Sequence, residues 1–362
     1  MKLLETLFDR TRPLFDEGGR LHWLRPLAQG AEAFFFGSSE QTRAAPHARD
    51  PLDSKRFMMM VIVALSPALF ASIYYFGWRV LAMMAVSYLA GGIVEVGFAI
   101  VRKKDIHEGF FVTGFLFPLV VPPTTPLWIV AVGVVFGVLV GKEVFGGTGR
   151  NLFNPVLVGR AFLAVAYPRP LASGFVLPGQ WPWGRLGEYI TAADVDALSG
   201  ATPLALGRQG EFGSWIDMLL GSISGSAGET SALAILIGGV FLCLVRVANY
   251  RTVAGILGAV FVFSSLLHLA EPARFGPPLW HLFAGGLFLG AFFMATDPVT
   301  SPATNMGKWV YGLLIGVLVV LIRNFSGWVE GVMFAILLGN LASPLIDEVF
   351  IGMRIRRLQR EG

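Results

Sequence analysis

The chain has 362 residues, of which 54% are hydrophobic and 14% charged, with 30 Phe, 9 Trp and 44 Gly. Soluble domains carry about 25% charged residues, so this composition excludes a water-soluble globular protein and points to an all-α polytopic membrane protein. The formal net charge of +4 sits in short basic clusters that read as topology signals rather than a nucleic-acid footprint, and the single cysteine, Cys243, excludes a disulfide framework or a cysteine-held metal centre.

Residues 1–56 are a polar, amphipathic extension with no apolar stretch of signal-peptide length. Arg43, Arg49, Lys55 and Arg56 collect just before the first apolar segment and place the N-terminus in the cytoplasm. Ten apolar segments follow, at about 57–76, 78–101, 110–121, 126–141, 153–166, 231–248, 252–270, 280–296, 308–324 and 330–347. Threading them across a bilayer puts Arg102 to Lys104, then Lys142 and Arg150, then Arg246 and Arg251, then Lys308, on the same inner side. The basic tail 348–362, with Arg354, Arg356, Arg357 and Arg360, lands there too, while 167–230 falls outside. The expected location is the bacterial inner (cytoplasmic) membrane, with both termini cytoplasmic.

Two segments are too short to cross. A helix over 110–121 is about 18 Å long at 1.5 Å per residue, and Pro122, Pro123 and Pro126 break it. The segment after Asn154-Pro155 is also short, with Asn as its cap and Pro at the first helical position. Half-spans of this kind are tolerated where protein or a water-filled cavity receives the freed backbone.

The pattern returns about 180 residues later. "PLVVPPTTP" is echoed by "MATDPVTSP", Gly133 and Gly137 by Gly312 and Gly316, and Gly159 by Gly339. Each half, 57–166 and 231–347, holds five segments, an odd number, so the second repeat is expected to be inverted relative to the first. Inverted five-helix repeats with broken half-helices are a transporter architecture.

Between the halves, "DALSGAT" covers 196–202. By composition it is a turn, since Gly, Ser and the following Pro203 are turn formers; by position it is a small-residue loop whose threonine a modifying enzyme can reach. The stretch matches D-x-x-[ST]-G-A-T, at which a flavin transferase attaches FMN to threonine. "RDPLDSKRFMMMVIVALSPALF" (49–70), "HEGFFVTGFLFPLVVPPTTPLW" (107–128), "KEVFGGTGRNLFNPVLVGRAFL" (142–163) and "FFMATDPVTSPATNMGKWVYG" (292–312) carry the likeness over nearly the whole chain. The sequence resembles the NqrB/RnfD family, which unites the NqrB subunits of Na+-translocating NADH:quinone oxidoreductases with the RnfD subunits of Rnf complexes. The N-terminal extension sides with the NqrB branch; the short connection near "YYFGWRV" (74–80), where many NqrB chains have a longer insert, leans toward the Rnf branch.

The resemblance implies a covalent FMN on Thr202, within a motif of Asp196, Ser199, Gly200 and Ala201. It also implies a non-covalent riboflavin near Asn151 and Asn154, a quinone acceptor near Gly91 and Gly92, and Na+ as the transported ion. The implied partners are the other subunits of a complex of about six, quinone, the flavin transferase and the lipid bilayer, with no nucleic acid.

The residues alone leave some readings open. Gly146 to Asn151 is Gly-rich but has no Gly-Lys-Ser/Thr ending and no preceding strand, so it is no nucleotide P-loop; it either caps a helix with a buried Asn or meets the flavin. Glu95 lies mid-span, where a carboxylate is costly and by default functional. It either snorkels, pairs with a cation of the fold, or serves cation uptake as the resemblance implies. Asp347, near the end of the last segment, either faces water or shares that role. Asp297, in the "TDP" break, either caps the turn or points at a cofactor or ion. Gly91-Gly92 serve helix packing or the approach of a flat ring. The five histidines lack metal-ligand spacing, and no G-x-G-x-x-G follows a strand, so NADH is expected to bind elsewhere. No catalytic or metal-ligating residue is assigned. An Rnf-type subunit and a transporter without flavin stand as alternatives.

Overall fold

The computed structural model describes residues 54–103, 109–191 and 200–361. Residues 1–53 of the amphipathic extension, Lys104, His107, Asp196 and Ser199 lie outside the described residues. Within these the protein is all-helical; the β-contact present is an isolated bridge between Gly77 and Tyr189.

The helices are α1 (Ser54–Phe76), α2 (Arg79–Arg102), α3 (Gly109–Leu119), α4 (Leu127–Gly141), α5 (Pro155–Ala166), α6 (Pro168–Ser173), α7 (Pro203–Gly207) and α8 (Trp215–Leu220). They continue as α9 (Ala232–Leu244), α10 (Tyr250–Ala270), α11 (Pro278–Phe283), α12 (Leu287–Leu289, extended by a π-helical turn Gly290–Met294), α13 (Asn305–Phe325) and α14 (Val332–Glu361). Among the described residues six stretches are long and apolar enough to cross a membrane: Arg56–Phe76, Arg79–Arg102, Leu127–Phe145, Tyr250–Ala270, Asn305–Phe325 and Val332–Arg360. Gly109–Leu119, Pro155–Ala166 and Ala232–Leu244 are apolar but shorter. The segment expected over 280–296 is interrupted: Ala284 is extended and Gly285 takes φ +64°, so α11 ends there and α12 starts on a new axis. The basic tail does not leave the last helix, since α14 runs unbroken through Arg354, Arg356, Arg357 and Arg360.

Local chemistry sets several ends. Asn154 caps α5 as its sequence predicts, its Oδ1 accepting from Val156 N at 3.0 Å with Pro155 in the first turn. Thr304 caps α13 in the same way, through Gly307 N at 3.2 Å. The tight link between α1 and α2 is fixed by Gly77, whose φ is +76° and whose missing Cβ leaves room for the carbonyl of Glu188. Arg185 N and Gly179 N donate to the carbonyls of Tyr74 and Tyr75, and Trp78 N to that of Glu188, so the segment 179–189 clasps this short connection.

The core is a continuous apolar cluster drawn from both halves, with Leu65, Phe76, Phe117, Val138, Leu163, Leu289, Tyr311, Ile315 and Ile336 fully buried. The echoed glycines sit in it, but not all in equivalent places. Gly133 and Gly137 bring α4 onto α5, against Leu163, the Pro155 carbonyl and Gly159. Gly312 and Gly316 instead bring α13 onto α10, against Gly255, Ala259 and the Thr252 carbonyl. Gly159 and Gly339 do correspond, each facing the long helix before it, α4 or α13.

Candidate functional site

The helix α5 has a cavity at each end. At its N-terminal end lies a space of about 90 Å³ whose wall includes Phe57, Lys142, Thr148, Asn151, Asn154 and Asp297. Beyond its middle lies a larger one, about 490 Å³, reached by Arg160, Gly200, Ala201, Thr202, Ser224 and Glu330. Asn154 and Arg160 are six positions apart, about 9 Å along the helix axis.

Thr202 stands on the wall of the larger cavity. It is half-buried and extended (φ −73°, ψ 152°), and its Oγ1 accepts from Ala205 N at 3.3 Å, capping the one-turn helix α7. Gly200 has no room for a side chain, because a Cβ would collide with Ser224 Oγ and press on Leu177. Its N–H donates to the Phe175 carbonyl at 3.1 Å, which holds the loop against α6 and its exit. The hydroxyl of Thr202 is therefore offered to the cavity from a fixed turn, while Asp196 and Ser199 of the same motif fall outside the described residues.

Under Thr202 the cavity has an ionic floor. Arg160 Nη2 lies 3.4 Å from Glu330 Oε2 and 3.7 Å from Glu229 Oε1, and Arg160 Nε donates to the Val120 carbonyl at 2.6 Å. Arg160 and Glu229 are buried, at 9% and 8% exposure, so this is charge held away from bulk water. Burial first, and the neighbouring Glu330 second, push the Glu229 carboxyl up to about 8, against the pull of Arg160. Ser224 Oγ and Glu330 Oε1 are buried without a hydrogen-bond partner. The composition of a 490 Å³ apolar cavity with a few convergent polar groups is that of a small-molecule site. None of Arg160, Glu229, Glu330 and Ser224 was singled out by sequence, though Arg160 lies mid-segment in "NPVLVGRAFL" and is found by the same rule that finds Glu95.

The smaller cavity is built differently. Asn151 Nδ2 donates to the Phe153 carbonyl at 3.1 Å, and the Asn154 Oδ1 is the α5 cap. Gly146, Gly147 and Gly149 all take positive φ, so the Gly-rich loop is a chain of tight turns ending in two buried asparagines. Thr148 Oγ1 faces the cavity without a partner. Asp297 does both things open to it: its Oδ1 accepts from Val299 N at 3.0 Å, capping the turn, and it lines the cavity.

Glu95 is paired with a cation of the fold. Its Oε1 lies 2.5 Å from Lys142 Nζ, with both side chains about 95% buried and Oε2 left without a partner. Beside it, Arg102 binds Glu143 at 2.7 Å. Gly91 packs on Val134 and Val138 of α4, and Gly92 on the ring of Phe110, so the flat ring that meets this glycine pair belongs to the protein. Asp347 does not simply face water: it accepts from Ala303 N at 2.6 Å and from Thr304 N and Oγ1 at 3.0 and 2.5 Å, at the start of α13.

Comparison with known proteins places these features in one lineage. The model of the family described as "NQR2, RnfD, RnfE family" matches residues 41–355. The NqrB subunit of the Na(+)-translocating NADH-quinone reductase of Azotobacter vinelandii (strain DJ / ATCC BAA-1303) is 40% identical over 411 residues, covering 98% of this chain and 98% of the relative. The corresponding subunit of Neisseria meningitidis serogroup A is 40% identical over 407 residues, with 98% of each covered, and that of Klebsiella pneumoniae (strain 342) 39% over 425, covering 99% of this chain and all of the relative. These alignments are longer than the 362 residues of the chain, so the relatives carry segments that it lacks. With the family model and full-length relatives agreeing, this chain belongs to the NQR2, RnfD, RnfE family.

Proposed function

We propose that the chain is the membrane electron-transfer subunit of a Na+-translocating NADH:quinone reductase, carrying FMN as a phosphoester on Thr202 and working with the other subunits of that complex. The observation that carries this reading is the half-buried Thr202 hydroxyl on the wall of a cavity of about 490 Å³. The relatives' name supplies the activity, and NADH oxidation belongs to another subunit.

The larger cavity fits a tethered flavin. A phosphoester at Thr202 keeps an oxygen to accept from Ala205 N, and the cavity holds two buried polar atoms, Ser224 Oγ and Glu330 Oε1, without partners. When bound, FMN supplies one- and two-electron transfer. Arg160 opposes negative charge that develops beside it, and burial raises the Glu229 carboxyl above the usual carboxylate range. Gly200 and the α7 cap fix where the tether begins.

The smaller cavity does not fit a riboflavin as it stands. At about 90 Å³ it is well below the roughly 300 Å³ of small-molecule sites, and Asn151 Nδ2 and Asn154 Oδ1 are already engaged by their own loop. No step is routed through it; Lys142 and Asp297 are the charged residues on its wall.

For the membrane frame we infer ten segments in two inverted five-helix repeats with both termini cytoplasmic in the inner membrane. Support comes from the paired breaks after α3 and after α12, and from the Gly159 and Gly339 contacts. Na+ passage would use Glu95 and the break regions; Asp347, saturated by backbone donors, serves first as a cap. The test is Na+-stimulated quinone reduction and Na+ uptake by inverted vesicles holding the whole complex. Loss of both on Thr202→Ala supports the reading. Na+ movement that persists without flavin or NADH turns it toward a plain transporter.

A further inference from the structure

We propose that a second cavity on the same side of the protein, between α7, α11 and α13, binds a small oxyanion of the phosphate class. It has about 130 Å³ and is lined by Arg208, Arg274, Arg323, Trp280, His281 and Asn324 among others. Among the described residues no carboxylate lines it. Glu229 and Glu330 line the Thr202 cavity instead, and Glu271 pairs with Arg274 at the rim.

The floor is polar and buried. Trp280, His281 and Arg323 are 4%, 2% and 5% exposed. Trp280 Nε1, both ring nitrogens of His281 and Arg323 Nε have no hydrogen-bond partner. The other two guanidinium nitrogens of Arg323 donate to the His281 and Ala284 carbonyls at 2.6 and 2.7 Å, which fixes the group but does not neutralise it. The rim adds charge: Arg208 is bound to the carbonyls of Ser326, Gly327 and Trp328, and Arg274 stands exposed, 3.5 Å from Glu271. Glu330 and Glu229 offset part of the Arg323 charge from beyond ion-pair distance, but they leave Arg323 Nε, Trp280 Nε1 and the His281 ring without partners, and buried donors of this kind are costly unless an acceptor joins them.

Trp and Arg offer N–H donors only, and imidazole offers at least one. Water satisfies such donors singly but leaves the charge. A group with several anionic oxygens satisfies donor geometry and charge together. Both inorganic phosphate and the headgroup of an anionic phospholipid have that chemistry, and the exposed rim arginines leave either a way in.

The test uses the full chain in its intact complex, purified in detergent and dialysed free of phosphate. Its thermal midpoint is measured with inorganic phosphate, with chloride at equal ionic strength, and with short-chain phosphatidylglycerol. A saturable rise with phosphate assigns a free anion; a rise with phosphatidylglycerol alone assigns a headgroup. In either case Arg274→Gln, an exposed change that gives up only its contacts with Glu271 and the Phe275 ring, is expected to raise the apparent Kd about tenfold, and Trp280→Phe, which keeps a ring on the floor, to weaken binding to a smaller extent. Equal midpoints in phosphate and chloride with no lipid effect overturn the proposal, leaving water only. So does a rise that both variants share unchanged with the wild type.

Discussion

The chain breaks its helices at two proline-bearing stretches, and it repairs them with opposite charges. In 120–126 three prolines remove N–H groups, so carbonyls are left in surplus. Donors come to them: Arg79 to the carbonyls of Pro123, Thr124 and Thr125 at 3.1, 3.4 and 3.0 Å, Arg160 to that of Val120, and Ala227 N and Gly228 N to those of Val121 and Leu119. In 295–304 the surplus is N–H groups of the turn that leads into α13. Acceptors come instead: Asp297 for Val299 N, and Asp347 for Ala303 N and Thr304 N. A charge inside a membrane helix therefore has a first explanation in the backbone it serves, where each unsatisfied group costs several kcal/mol. Glu95 is the contrast, since its partner is Lys142 and no backbone group needs it.

The comparison can be broken by substitution, beginning with the largest effect. Arg79→Leu strips donors from three buried carbonyls and is expected to cost about 3–5 kcal/mol, seen as a collapse of the thermal midpoint in detergent; a near-normal midpoint would remove Arg79 from the repair. Glu95→Leu leaves Lys142 buried and unpaired and should cost about 3 kcal/mol, whereas the double variant with Lys142→Met should recover most of it. Na+ transport that stays lost in the recovered double variant would give the pair a role beyond packing. Asp347→Asn keeps an acceptor oxygen, so about 1 kcal/mol is expected. If that variant is stable but carries no Na+, Asp347 does more than cap. The smallest effect is a slope. Glu229 is raised from its usual 4.5 to about 8, so the folded state holds a proton there that the unfolded chain has released. Stability should fall as pH rises from 4.5 to 8, and Glu229→Gln should flatten that part of the profile.

Local signals in the sequence carried over well. The Asn154-Pro155 cap, the break at Pro122 and most of the apolar segments are each decided by a few adjacent residues, and helices form there, the segment over 280–296 being the one that splits in two. Long-range facts were hidden. Nothing near Glu95 announces Lys142, 47 positions away, and Asp347 looked like a carboxylate facing water because the N–H groups it binds lie 43 and 44 positions back. The glycine echo was half informative. Spacing along a helix says which residues share a face, but the neighbour on that face is set by packing, so Gly133 meets α5 while Gly312 meets α10. A motif singled out Thr202, while the Arg160, Glu229 and Glu330 cluster on the same cavity escaped sequence reading because three separate segments build it.

The central claim is that Thr202 carries flavin, and one measurement bears on it directly. The full-length chain, made in a host with the flavin transferase, is denatured, run on a gel and viewed under ultraviolet light beside Thr202→Ala. Fluorescence that stays with the wild-type band and is absent from the variant is the result this account predicts. A dark wild-type band, or equal fluorescence in both, would contradict it.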